Sequence, residues 1–345
     1  MPETWISQLP TKKVSDLSQM ITEHGDELLF RSSPVPELIW HASGSTSDIV
    51  VQRFDGKPEA WPMAVDYDGR FLTYAMTWSY SVFESPWSIF VWDTTRKKDE
   101  PQLVATSPQG EYPDGTSGTQ PLVEPIVYDG ELAWVAFDPT PSNPYSRSLF
   151  SYNVASGRTH VLRTGDFGGV KRFRNTAILS TSHPASSVVS WSLVALDGGA
   201  PAKLPEEFIA DRQGGWFAVS SDGLAWVEGD GHLWAWLEDD AQARHLLDGR
   251  SPHGERIWAI DAVSMNERFL TFRAADEGGY PQPYVVDMRT MGAARMPDGS
   301  PDGEFKAVRG GLEVWFYSDD KDESAGTERV IIPNGDLPPL PGCSS

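Results

Sequence analysis

The sequence has little of what disulfide-linked, membrane-spanning or cysteine-ligated zinc proteins depend on. Cys343 is the single cysteine among 345 residues, which excludes an intrachain disulfide and a multi-cysteine zinc site. No stretch approaches 18 apolar residues, so no transmembrane helix is expected. Residues 1–20 lack the apolar run of a secretory signal. Together these absences favour a cytoplasmic protein with no membrane partner.

Positive charge is also scarce. The chain has 28 Lys and Arg against 49 Asp and Glu, which gives a formal net charge of −21 at pH 7. A nucleic-acid-binding protein needs basic patches to neutralise phosphates, and a polybasic membrane-surface protein needs them for anionic lipids. The charge balance therefore argues against both classes and suits a cationic partner.

Sharp catalytic and cofactor motifs are missing. There is no G-x-S-x-G, no G-x-x-x-x-G-K-[ST] and no G-x-G-x-x-G that opens a helix, and the seven histidines show no H-x-x-x-H spacing. Acidic runs at 66–69, 298–304 and 319–323 could supply oxygen ligands to calcium, but none matches the twelve-residue calcium loop. We therefore predict no metal and no cofactor, with calcium as the alternative.

What the sequence has in excess is tryptophan, glycine and proline, at 14, 31 and 27 residues. A unit made of a turn pair and a short β-rich run recurs, and its starts are 43 to 61 residues apart. Asp-Gly and similar pairs supply the positive φ angles that tight hairpins require. The copies are 25–33, 68–76, 129–137, 174–182, 222–230, 266–274 and 310–318.

Each unit is interpreted as a meander of four short strands, and a period of 40 to 50 residues is typical of β-propeller blades. The sequence thus predicts an all-β propeller of seven four-stranded blades, with six as the alternative. Residues 1–12 are predicted to supply a strand that closes the ring, residues 1–335 to form one domain, and residues 336–345 to form a flexible C-terminal tail. Trp134, Trp226 and Trp315, each on a second strand, are predicted core residues.

The repeats at 149–165 and 192–206 resemble those of TolB-like (WD-repeat-like) β-propellers. Their Ser-Pro-Asp-Gly turn matches 300–303, and their Asp-x-x-Gly-Gly hairpin is similar to the stretch that holds Asp197, Gly198 and Gly199. This resemblance implies a propeller that often binds proteins. The family also contains enzymes, so the resemblance does not assign a function.

The long second-to-third connections and the insertion at 107–121 are predicted to lie on one face of the propeller. Aromatic side chains with polar groups suit a recognition surface, so we expect a protein, peptide or small ligand to bind there. Carboxylates on the same loops, such as Asp138 and Asp276, suit a cationic ligand. The predicted ligand-binding residues are Trp78, Tyr80, Phe83, Trp87, Tyr112, Tyr145 and Tyr280.

The alternative is a propeller enzyme, a hydrolase, lyase or isomerase, with acid and base residues from several blades at the central channel. Paired carboxylates can divide those roles when their environments separate their pKa values. The sequence does not select among the candidates. They are His41, Asp66, Glu124, His183, Asp211 and Asp261.

Overall fold

Short strands separated by glycine and Asx turns pair into seven antiparallel sheets, and each sheet follows the chain order of its strands. The architecture is therefore an all-β, seven-bladed β-propeller, as predicted. The computed structural model describes residues 17–78, 86–107, 123–138, 146–182, 188–209, 212–213, 216–229, 231–249, 257–276, 281–295, 304–316 and 328–340.

The first four blades have the following strands. Blade 1 comprises β1 (Leu17–Ile21), β2 (Glu27–Arg31), β3 (Glu37–His41) and β4 (Asp48–Arg53). Blade 2 comprises β5 (Trp61–Tyr67), β6 (Phe71–Thr77), β7 (Trp87–Asp93) and β8 (Gln102–Thr106). Blade 3 comprises β9 (Ile126–Tyr128), β10 (Glu131–Phe137), β11 (Arg147–Asn153) and β12 (Arg158–Gly165). Blade 4 comprises β13 (Phe167–Phe173), β14 (Thr176–Ser182), β15 (Val188–Ala195) and β16 (Arg212–Gln213).

The last three blades complete the fold. Blade 5 comprises β17 (Phe217–Val219), β18 (Gly223–Glu228), β19 (His232–Leu237) and β20 (Arg244–Asp248). Blade 6 comprises β21 (Ile257–Met265), β22 (Phe269–Asp276), β23 (Gln282–Asp287) and β24 (Gly292–Arg295). Blade 7 comprises β25 (Glu304–Val308), β26 (Gly311–Phe316) and β27 (Glu328–Pro333).

Within the described ranges, blade 7 has three strands. The closing strand predicted for residues 1–12 lies outside those ranges and stays a prediction. The one described helix, α1 (Glu206–Ile209), has four residues. Across the part of the chain that the structure describes, no helix has the length and apolar character needed to cross a membrane.

Two of the hairpins that join a first strand to a second strand share the same side-chain turn. In blade 2, the Asp68 carboxylate accepts hydrogen bonds from the backbone N–H groups of Arg70 at 2.9 Å and Phe71 at 2.7 Å. In blade 6, the Asn266 side-chain oxygen accepts the equivalent pair at 2.8 and 2.7 Å. An Asx side chain that bonds to the backbone two residues later stabilises a tight turn. In blades 2 and 6, the turn pair that marks the sequence repeat is therefore this hairpin.

A backbone hydrogen bond at the base of the second and third strands also repeats. The residue that follows the third strand donates to the carbonyl just before the second strand, and this bond occurs in six blades, over N···O distances of 2.7 to 3.0 Å. It fixes where each central hairpin begins and ends. The pairs, donor first, are Thr94 and Arg70, Val154 and Gly130, Leu196 and Asn175, Glu238 and Asp222, Met288 and Arg268, and Asn334 and Gly310.

The core lies between the blades. All seven residues of β6 are buried, which explains why that strand is not strictly alternating in sequence. Side chains of blades 2 and 3, among them Ile89 and Leu132, pack into one cluster. Burial of one such side chain contributes roughly 1.5–3 kcal/mol. Trp134 and Trp226 are buried as predicted, whereas the side chain of Trp315 lies outside the described part of the structure.

The chain divides into two compact units, one of residues Leu28–Leu204 and one of residues Met1–Glu27 with Pro205–Ser345. In the second unit, the start of the predicted flexible tail is packed. The side chains of Leu337 and Leu340 are buried in a core cluster with Phe269 of blade 6. The Thr290 hydroxyl donates to the Leu340 carbonyl at 2.6 Å. Residues 336–340 therefore differ from the tail expected there, because their leucines have an apolar surface to cover.

Candidate functional site

One of the predicted ligand-binding aromatics, Trp78, lies in the described structure and is partly exposed. It directly follows β6, where the second-to-third connection of blade 2 begins. Its backbone N–H donates to the Pro86 carbonyl at 3.2 Å, so a hydrogen bond joins the two ends of that connection. Five of the other aromatics lie outside the described residues. They are Tyr80, Phe83, Tyr112, Tyr145 and Tyr280.

The indole of Trp78 has contacts on the connection between β4 and β5. The ring centroids of Phe54 and Trp78 are 5.8 Å apart, and the Lys57 ammonium lies 5.6 Å from the Trp78 ring centroid. Phe54 is itself buried. A second-to-third connection and a fourth-to-first connection thus meet at the same blade end, as the topology predicts.

Trp87 does not belong to that surface. It is the first residue of β7, its side chain is 1% exposed, and it packs in the cluster between blades 2 and 3. Its backbone N–H is also engaged within the protein, because it donates a hydrogen bond to the Ser107 hydroxyl at 3.2 Å. The expectation that Trp87 contacts a ligand is therefore replaced by a core role.

In the equivalent connection of blade 3, a hydrogen bond again joins the two ends of the loop. The Asp138 N–H donates to the Ser146 carbonyl at 2.8 Å, and the Asp138 carboxylate accepts a hydrogen bond from the Ser148 hydroxyl at 2.6 Å. Arg147 donates to the Phe167 carbonyl at 2.6 Å, which ties this blade end to the start of the next inner strand. Asp138 therefore has a structural role at the base of its loop.

An exposed tryptophan that the sequence analysis did not select precedes β17 in blade 5. Trp216 is 53% exposed, and its carbonyl accepts a hydrogen bond from the Val227 N–H at 2.9 Å. It lies at the end of its blade that carries the second-to-third connection. The sequence signal is the Gly-Gly pair at 214–215, a turn-forming pair that directly precedes this tryptophan.

Asp66 is the catalytic candidate with the most developed surroundings. It lies near the end of β5, and its carboxylate receives two hydrogen bonds from Arg172 of β13, from Nε at 2.7 Å and from Nη2 at 2.8 Å. The Val127 N–H of β9 donates to the same carboxylate at 2.9 Å. Asp66 therefore links the inner strands of three successive blades.

Arg172 is held firmly in this arrangement. Its side chain is 15% exposed and also donates to the Tyr67 carbonyl at 3.2 Å. Burial alone would lower the pKa of Arg172, but the negative charge and hydrogen bonds of Asp66 outweigh it and raise the pKa above its usual value. The guanidinium is charged at every accessible pH, and the pair is bidentate.

The remaining described candidates are each engaged elsewhere. Glu124 is exposed, and its carboxylate lies 3.8 Å from the Lys171 ammonium. His41 contacts Asp48 across blade 1, with 2.9 Å between Nδ1 and Oδ1. Asp261 is paired with Arg273 on the neighbouring strand of blade 6, at 2.8 and 3.1 Å. His183 and Asp211 lie outside the described residues.

Each of the four described candidates is therefore paired with a different residue, Glu124 with Lys171 and the other three as given above. Among the described residues, no group of three or more His, Cys, Asp or Glu side chains is arranged to hold a metal ion. Of the runs considered for calcium, 66–69 is described. There Asp66 is occupied by Arg172, and Asp68 by the amides of its hairpin.

No protein-family description and no curated protein matches the sequence. The fold is similar to that of the β-propeller domain of the Trilobed protease from Pyrococcus furiosus, with 9% identity, a TM-score of 0.51 and 93% of each chain covered. It is also similar to the Cps50 (Swd1) β-propeller domain of Myceliophteria thermophila, with 9% identity, a TM-score of 0.51, and 94% of this chain and 99% of that chain covered.

A third similar structure is the Pyrococcus horikoshii acylaminoacyl peptidase, with 10% identity and a TM-score of 0.53. The match covers 88% of this chain and 50% of the peptidase. These neighbours include enzymes and a WD40-type domain, and their identities are low. They support the propeller fold and leave the function open.

Proposed function

We propose that this chain is a non-catalytic β-propeller that binds a protein, peptide or small ligand at the blade ends carrying the long second-to-third connections. The observation that carries the proposal is that the described catalytic candidates already have partners. Asp66 is bound bidentately by Arg172, Asp261 by Arg273, and His41 contacts Asp48. A general base needs a free lone pair within reach of the proton that it removes.

Trp78 is the central residue of the proposed binding surface. The partly exposed indole lies at the hydrogen-bonded base of its connection, with its ring tilted by 56° against the ring of Phe54. It offers a large apolar contact that loses little side-chain entropy on binding. Aromatic residues are enriched in interface cores for this reason. The net charge of −21 favours association with cationic ligands over anionic ones.

The TolB-like resemblance fits the same proposal, since it implies a propeller that often binds proteins. The alternative, a propeller enzyme, would use Asp66, which contacts the inner strands of blades 3 and 4 from its own place in blade 2. Both functions make distinct demands on these residues. Binding depends on Trp78 and not on Asp66, whereas catalysis depends on Asp66.

The test uses the full-length chain and fluorescein-labelled peptides of equal length, one series rich in lysine and one rich in glutamate. We expect fluorescence anisotropy to show binding of lysine-rich peptides that contain an aromatic residue, with affinity that falls as salt is raised. Trp78→Ala should weaken this binding at least about tenfold, the size of a 1.4 kcal/mol interface contact.

The matched control is Leu103→Ala, which removes an equally apolar, 53% exposed side chain from β8 of the same blade. It should leave the peptide affinity unchanged. Equal affinities for the wild type and the Trp78→Ala variant would contradict the proposed surface. Turnover of an ester, peptide or glycoside that is lost in Asp66→Asn would instead support the enzyme.

A further inference from the structure

Two histidines on blade 5 face each other across neighbouring strands. His232 begins β19 and His245 lies on β20, and the distance between Nδ1 of His232 and Nε2 of His245 is 3.1 Å. The rings are nearly parallel, at 8°, with centroids 5.2 Å apart. The ring of Trp234 stacks on that of His245, with centroids 4.4 Å apart. Both imidazoles lie at the surface, so ions in solution can reach them.

The pair exists because of a β-bulge. Trp234 pairs with His245 and His232 pairs with Asp248, and the register shifts between Leu233 and Trp234. In a register without that shift, Leu246 would lie opposite Trp234, and His245 would pair with Ala235 and project from the other face of the sheet. Bulges commonly redirect a side chain in this way.

Two carboxylates share the row that holds His232. Glu228 of β18 and Asp248 of β20 are its direct partners on either side. Residues directly opposite in antiparallel strands project from the same face, with Cβ atoms roughly 4.5–5.5 Å apart. A cation at the histidines would therefore have a negative charge on each side.

The separation of the two ring nitrogens suits coordination of one ion. Zinc binds imidazole nitrogen at about 2.0–2.1 Å, so two ligands at angles between a right angle and the tetrahedral angle lie about 2.9–3.4 Å apart. The observed 3.1 Å falls in that interval. The rings need only tilt from their present hydrogen bond so that both lone pairs point at the ion.

From this geometry we propose that His232 and His245 form a surface site for one divalent transition-metal ion of the zinc, nickel and copper class. Imidazole suits these metals, whereas calcium and magnesium prefer oxygen ligands. Asp248 is the third ligand after a side-chain rotation, and water fills the other positions. Because three ligands are not assembled in advance, the site is an exchangeable one. The proposal does not rest on the proposed peptide-binding function.

The test is a titration of the tag-free, full-length chain with Zn2+ by isothermal calorimetry, in a buffer that contains excess Mg2+. We expect one saturable equivalent of Zn2+. Loss of an outer-shell partner alone typically costs about 10- to 100-fold in metal affinity, so His232→Gln and His245→Gln should each weaken binding at least about tenfold. Asp248→Asn should weaken it less, because water can replace the carboxylate.

The matched control is His160→Gln, which removes an exposed strand histidine of blade 3 and should leave the Zn2+ affinity unchanged. Electron paramagnetic resonance of the wild type with one equivalent of Cu2+ gives a readout that needs no variant, with hyperfine coupling to two imidazole nitrogens expected. No saturable Zn2+ binding, affinity unaffected by both glutamine variants, or coupling to one nitrogen would each overturn the site. In that event the two histidines share a proton only.

Discussion

At the scale of single residues, Arg70 and Arg268 show how burial changes the contribution of an arginine–aspartate ion pair to stability. Both precede a second strand, and each binds an aspartate at the end of the third strand, Asp93 or Asp287. The side chain of Arg70 is 53% exposed, whereas that of Arg268 is 8% exposed. Arg268 also donates to the Leu337 carbonyl at 2.9 Å.

We predict that Arg268→Met lowers the free energy of unfolding by about 3–5 kcal/mol, because it leaves the buried Asp287 carboxylate without its cation. Arg70→Met, which breaks the equivalent exposed pair, should cost much less, because solvent screens the exposed charges. Methionine keeps most of the apolar stem, so the difference reports the charge. Urea denaturation measures both. Similar losses in the two variants would show that burial is not what separates them.

A second residue-scale prediction concerns Asp93. Partial burial alone would raise its pKa, but hydrogen bonds from Arg70 and Thr95 and the charge of Arg70 outweigh that and lower the pKa to about 2. A carboxylate whose pKa is lowered in the native state stabilises the fold at pH values above its unfolded-state pKa, which is near 3.9. This stabilisation is lost as the pH falls toward 2.

We therefore expect a contribution on the order of 1 kcal/mol, after allowance for solvent screening, that disappears between about pH 4 and pH 2. In Asp93→Asn this part of the acid dependence should be absent. The measurement is the free energy of unfolding of both proteins at several pH values. Parallel pH curves for the wild type and the variant would contradict the prediction.

At the scale of elements, the hairpin between β25 and β26 makes a close backbone contact. Gly310 has a φ of +74°, and a Cβ atom there would lie 2.3 Å from the Ile21 carbonyl oxygen. In the same place the Ile21 N–H donates to the Arg309 carbonyl at 3.0 Å. Glycine is needed here both for its dihedral angle and for the room that it leaves beside β1.

Gly310→Ala should therefore destabilise the protein by clearly more than the roughly 1 kcal/mol expected for an alanine at positive φ. Gly56→Ala is the matched control, because Gly56 has a φ of +71° and open space around its Cβ position. Thermal unfolding of both variants separates the clash from the dihedral strain. Equal losses would show that the contact with Ile21 yields readily.

The blade pattern was predictable because its signals are local. Turn residues such as Asp68 and Asn266 act on amides two and three residues later, so the hairpins can be located without knowledge of the fold. Trp87 was misplaced because it stands at the junction of a loop and a strand. There its neighbours in sequence suggested a surface, while the packing of blades 2 and 3 buries it.

The remaining site features depend on contacts that sequence patterns do not carry. The ion pair of Asp66 with Arg172 joins residues 106 positions apart. The approach of His232 to His245 follows from a register shift that no local sequence motif predicts. Leu337 and Leu340 were expected in a tail because prolines surround them, although a cluster of blades 6 and 7 accepts both leucines.

At the scale of the whole molecule, the seventh blade determines how the ring is completed. Its sheet has three strands in the described part of the chain, β25, β26 and β27, and a fourth would cover the outer edge of β27. An uncovered edge exposes unpaired N–H and C=O groups to other chains. The N-terminal segment stays our predicted source of that strand.

Replacement of residues 3–10 by a glycine–serine segment of equal length should lower the melting temperature sharply and increase aggregation, since the edge of β27 would stay open. Scanning calorimetry and light scattering measure the two effects. The control replaces residues 341–345 in the same way and should change neither. An unchanged melting temperature in the 3–10 variant would remove the closing strand from our description.

The packing of residues 337–340 over Arg268 has a consequence for biosynthesis. The carbonyl that binds Arg268 belongs to Leu337, 69 residues later, and Leu340 is fully buried beside the same blade. A ribosome releases the N-terminal side of a chain first, at about 5–20 residues per second. During translation, blade 6 must therefore wait with its arginine and aspartate in contact with water, and these charges become enclosed only after residue 340 has left the exit tunnel.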